Sequence, residues 1–76
     1  MSGMRLELWD GSASSSCEIE CGSRWGARRV PSWFALAWER LVEAHGRPPI
    51  LLAHTARGPR HRRIVRRGGK WYTREL

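Results

Sequence analysis

The chain has 76 residues, a formal net charge of +7 and a hydrophobic fraction of 41%, including five tryptophans. That allows one domain, residues 1–76, with one modest core, and the apolar content excludes a disordered basic tail. No apolar run approaches the ~20 residues that span a bilayer, and Met1–Trp9 lacks an apolar stretch of signal-peptide length, so the expected setting is the cytoplasm, away from membranes.

In chain order, Met4 to Asp10 alternates. Met4, Leu6 and Leu8 fall on one side, Arg5, Glu7 and Trp9 on the other, the pattern of a half-buried strand. Gly11 to Ser16 is a small polar loop. Cys17 to Cys21 alternates again, with Glu18 and Glu20 on the face opposite Cys17, Ile19 and Cys21. Two strands around a six-residue loop predict an antiparallel hairpin.

Gly22 to Val30 reads as a basic loop carrying Arg24, Arg28 and Arg29. A helix is predicted over 32–45. Pro31 or Ser32 opens it, Gly46 closes it, and Pro48-Pro49 prevents continuation. Phe34, Ala37, Trp38, Leu41 and His45 recur at helical spacing as its buried stripe.

Ile50 to Thr55 is a short apolar run bounded by Pro49 and by Gly58-Pro59, read as a strand buried on both faces. Following a strand and a helix, it is expected to run parallel to the second strand. Arg62–Arg67 and Lys70–Arg74 flank Gly68-Gly69 and predict a tight hairpin. The expected class is therefore α/β or α+β: a small mixed, mostly antiparallel sheet in the order β-β-α-β-β-β, with one crossover helix packed on it.

The charge is unevenly distributed. Residues 1–22 set Arg5 against Glu7, Asp10, Glu18 and Glu20. Residues 57–74 carry Arg57, Arg60, Arg62, Arg63, Arg66, Arg67, Lys70 and Arg74 without an acid. A concentration of cations this dense points to a phosphate-bearing partner, hence nucleic acid, with DNA favoured. Arg60, Arg62, Arg63, Arg66, Arg67 and Lys70 are the candidate phosphate contacts, and Trp71 or Tyr72 a candidate for stacking on a base. A two-stranded ribbon also fits the major groove of a duplex. The competing explanation is an edge hairpin kept soluble by charge.

Asp10, Glu18 and Glu20 are the candidate catalytic carboxylates. If they converge, Asp10 and Glu20 offer hard oxygen ligands for Mg²⁺, which would activate water against a phosphodiester. The thiols suggest no comparable site. On one strand Cys17 and Cys21 lie about 13 Å apart at ~3.3 Å per residue, beyond the ~7 Å reach of a disulfide. Cys17, Cys21, His45, His54 and His61 show no C-x-x-C or H-x₃-H spacing for zinc.

The order Asp10, Glu20-Cys21-Gly22, basic loop, tryptophan-containing helix and Pro49-Ile-Leu-Leu strand resembles the core of the PD-(D/E)XK nucleases, in the small phage form related to Holliday-junction resolvases. The resemblance covers about residues 4–56. It implies Mg²⁺-dependent phosphodiester hydrolysis, with Arg24, Arg28 and Arg29 near the scissile phosphate. Gly22 stands where that family carries the lysine that orients or activates water, and arginine at position 24 is a poor proton acceptor. The resemblance thus implies the fold more than the activity, and a DNA-binding relative without catalysis fits equally well.

A chain with so small a core would gain from pairing as a homodimer. The alternative function is a small phage-type interaction protein that binds and modulates a host protein, matching its basic face to an acidic surface.

Overall fold

The structure, a computed structural model, describes residues 3–20 and 28–76. Six strands and one helix follow in the order β1 (Gly3–Trp9), β2 (Ser14–Glu20), β3 (Arg28–Arg29), α1 (Ser32–His45), β4 (Leu51–Thr55), β5 (Gly58–Arg67) and β6 (Lys70–Glu75). The sheet order is β2-β1-β4-β5-β6-β3. The fold is α+β with the expected element order, plus the two-residue strand β3 within what reads as a loop.

Alternation makes the first hairpin. Met4, Leu6 and Leu8 are buried, as are Cys17 and Ile19 opposite them. Its turn is shorter than the sequence suggests, because Ser14, Ser15 and Ser16 pair with Trp9, Leu8 and Glu7. Ladder hydrogen bonds to β1 outweigh the indifferent strand propensity of serine. Asp10 closes the turn: its amide donates to the Ala13 carbonyl at 3.1 Å, and its Oδ1 accepts from the Ala13 amide at 3.3 Å.

Helix α1 takes its predicted bounds. The Pro31 carbonyl accepts from the amides of Phe34 and Ala35, and Gly46, at φ 67°, turns left-handed so that its amide donates to the Val42 carbonyl. Phe34, Ala35 and Trp38 are buried against the sheet, with Leu41 and Val42 packed beside them. His45 falls beyond that stripe and is exposed.

Every strand pairing among the described residues is antiparallel, where the sequence predicts a mixed sheet. β2 and β4 do run in the same direction, but β1 lies between them and pairs with both. The parallel ladder expected across the helix is absent for that reason. Nor is β4 buried on both faces. Leu51 and Ala53 point into the core, whereas Leu52 and His54 are half-buried on the opposite, outer face.

β5 begins four residues before its expected start. Gly58-Pro59 reads as a break, yet Pro59 pairs in register with His54. At this point β5 has a ladder partner on one side only, the setting in which a sheet tolerates proline. Residues 58–61 of β5 pair with β4, and residues 62–67 pair with β6. The strand therefore hands the sheet from one ladder to the next, and the sheet curls until β3 approaches β2. Gly68 and Gly69, at φ 56° and 77°, make the two-residue turn into β6.

The core lies between the inner face of the sheet and α1. Met4, Leu6, Leu8, Leu51, Ala53 and Ile64 meet Phe34, Ala35 and Trp38 there, with Val30 leading into the helix. Cys17 belongs to this core as a free thiol, and burial pushes its pKa up to about 11.

Candidate nucleic-acid interface

The carboxylates do not form the expected group. In the β1–β2 register Glu20 lies opposite Gly3 and Glu18 opposite Arg5, while Asp10 follows Trp9 at the turn. Asp10 and Glu20 therefore occupy opposite ends of the hairpin, roughly 20 Å apart along the strands at ~3.3 Å per residue. No ion can take both as ligands at that separation. No cluster of three or more histidine, cysteine or acidic side chains suited to a metal occurs among the described residues. Asp10 serves the turn, and Glu18 is exposed across from a cation of opposite sign, Arg5.

The basic residues sort by face, and the sort follows from strand alternation. Starting from the buried Ile64, the inner side of β5 carries Arg60, Arg62 and Arg66, and the outer side carries His61, Arg63, Val65 and Arg67. Arg62 is not a surface cation. It is 6% exposed, its Nε donates to Thr73 Oγ1 at 2.9 Å, and its Nη2 donates to the Thr73 carbonyl at 3.0 Å. The Arg66 guanidinium lies over the Trp71 ring, 5.0 Å from its centroid. Arg60 is exposed beside Arg57, Thr55 and Glu75. These three, expected among the phosphate contacts, stand apart from the outer face.

On the outer face the hairpin register sets Arg63 opposite Arg74, Val65 opposite Tyr72 and Arg67 opposite Lys70. Arg29 of β3 lies beside Tyr72 on its other flank. Arg29, Arg63, Arg67, Lys70 and Arg74 are all exposed, and none is in an ion pair among the described residues. Two rungs of facing cations thus bracket a half-buried aromatic ring. Arg28 has its backbone in β3, and Arg24 lies outside the described residues.

Arg74 is absent from the sequence-derived candidates, although a signal for it exists. A two-residue turn at Gly68-Gly69 fixes 67 opposite 70 and, counting back, 63 opposite 74.

Directly opposed side chains on one face sit about 4.5–5.5 Å apart at Cβ, and like charges there are destabilising. β2 and β3 end the sheet order, but the rungs also lie where a ladder runs on one side only. Residues 62–67 of β5 pair with β6 alone, and β3 reaches only Tyr72 and Thr73 of β6, so charge guarding an open strand side remains the competing account of the rungs.

Along the same outer face, past the Arg63–Arg74 rung, a groove of about 730 Å³ opens between the sheet and the loop after α1. Trp9, Ile50, Leu52 and Pro49 give it apolar walls, and Asp10, His45, Arg47 and His61 give it polar groups. Close by, Glu7 Oε1 meets His54 Nε2 at 2.8 Å. That hydrogen bond holds the Glu7 carboxyl below its ordinary pKa of 4.5.

Comparison with known protein families, curated proteins and solved structures returned no match. Among the described residues no helix is long and apolar enough to cross a membrane.

Proposed function

We propose that the protein binds nucleic acid, with DNA the favoured form, through the outer face of β5, β6 and β3. One observation carries the reading: Arg63 faces Arg74 and Arg67 faces Lys70 across a ladder, and no ion pair among the described residues offsets them. A polyanion relieves that repulsion. Phosphates seated at the rungs exchange cation–cation contacts for charge-assisted hydrogen bonds and release counterions from the nucleic acid.

The grip is to backbone, so it is sequence-tolerant. Arg29, Arg63, Arg67, Lys70 and Arg74 hold phosphates. Tyr72, in their midst, offers a ring for stacking. Catalysis is not part of this reading, because the Asp10–Glu20 pair that a Mg²⁺-dependent nuclease would need is not assembled.

The test is a binding titration at two salt concentrations with duplex, single-stranded and four-way-junction DNA, with and without Mg²⁺. Affinity should fall steeply with salt, with a logarithmic slope of about −4.5 on duplex and about −3.5 on single strands for the five phosphate contacts. The absence of binding to every probe at low salt would reject the reading and favour a protein partner. That partner would present an acidic surface to the same basic face.

A further inference from the structure

We infer that the groove at Trp9 receives an unpaired nucleobase, so that the preferred ligand is a single-stranded or locally unpaired stretch of DNA. This rests on the phosphate grip proposed above and specifies its ligand.

The first support is continuity. His61 forms part of the groove and precedes Arg63 by two residues on the same face of β5, ~6.6 Å along the strand. A strand whose phosphates sit at Arg63 and Arg74 is therefore delivered to the mouth of the groove. The second is chemistry. A groove for phosphate alone should be uniformly basic, and Asp10 makes this one unsuitable. A base instead presents an apolar face with donors and acceptors around its edge. Trp9, Leu52 and Ile50 match the face, while Asp10 supplies an acceptor and Arg47 a donor for the edge. The third is room: about 730 Å³ is within the range of pockets that enclose small organic ligands. A paired base has its edge engaged and its faces stacked, and it enters such a groove only after leaving the duplex. Together with Tyr72 on the basic face, this gives the combination by which proteins hold single strands: cations along the backbone and aromatic rings for the bases.

The test uses the full chain and three DNA probes of equal length: a single strand, a blunt duplex and a single strand with abasic sites in place of its central bases. The variants are Trp9→Ala and His61→Ala, the second at an exposed position so that folding is preserved. Wild type should bind the single strand about tenfold more tightly than the other two probes. Both variants should lose that preference while keeping the duplex affinity and its salt dependence. Equal binding of all three probes by wild type overturns the groove assignment and leaves the phosphate grip standing. A preference that survives in both variants overturns it in the same way. No binding to any probe removes the grip and the groove together.

Discussion

Arg63 and Arg74 face each other directly across the β5–β6 ladder, on the exposed side of the sheet, with no acid paired to either among the described residues. Such an arrangement costs the isolated protein stability, so reversing one charge should help the fold and harm the function. Arg63→Glu creates an opposite-charge cross-strand pair with Arg74 and should raise the unfolding free energy by about 0.5 kcal/mol. DNA affinity at low salt should fall about tenfold, and the salt slope should lessen by about 1. Urea unfolding and a salt-series titration on the same preparation read both effects. Loss of stability together with unchanged binding would show that the facing cations serve the fold.

The Glu7–His54 contact makes stability depend on acidity. The hydrogen bond from His54 favours the charged carboxylate, so the folded pKa of Glu7 lies below its ordinary 4.5. A group depressed in the folded state contributes stability above its unfolded pKa and loses it as the pH falls through the folded value. The contribution should therefore be complete above about pH 5 and fade below 4.5. Glu7→Gln should flatten that acid limb. Chemical denaturation at closely spaced pH values from 3 to 6 makes the comparison.

Cys17 is buried, and desolvation raises its pKa to about 11. At pH 8 almost none of it is thiolate, the form that reacts. In the native protein a maleimide should leave Cys17 unmodified over hours, and it should label the residue within minutes in 6 M guanidinium chloride. Peptide mapping by mass spectrometry reads position 17 separately from position 21. Rapid native labelling would mean that the β2 edge of the sheet opens readily.

Much of this fold is legible in the sequence, and where legibility stops is physically instructive. The alternation of Met4, Leu6 and Leu8, the Pro31 and Gly46 limits of α1 and the Gly68-Gly69 turn are local signals, and each specifies its element. Strand neighbours are a different kind of information. Nothing local in β4 says that it pairs with β1, and β1 is what separates it from β2. Gly58-Pro59 reads as a break because its tolerance depends on an unpaired strand side, which is a property of the assembled sheet. The candidate interface divides in the same way. The density of cations in 57–74 is visible at once, but arginines occupy both faces of Arg60–Arg67, so period-two reasoning has no contrast to work with. Ile64 and Val65 are adjacent apolar residues and leave the phase ambiguous. Only the burial of Ile64 and Thr73 decides it, and that decision moves Arg62 from the surface to the interior.

Arg62 is accordingly the residue at which a charge-based reading and the structure diverge most sharply in outcome. Its side chain is buried and donates to both the hydroxyl and the carbonyl of Thr73, which is itself fully buried. Arg62→Ala removes those donors, strands the Thr73 oxygens and leaves the aliphatic stem unfilled. It should lower stability by about 2–4 kcal/mol. Arg67→Ala, five residues further along β5 on the exposed face, should stay within ~0.5 kcal/mol of wild type. For DNA binding the order reverses: Arg67→Ala should weaken it several-fold, whereas any Arg62→Ala protein that folds in the cold should bind almost as wild type does. Urea midpoints and low-temperature titrations on the two variants provide the comparison. A stable Arg62→Ala protein with lost DNA affinity would return that arginine to the interface and require the β5 faces to be reassigned.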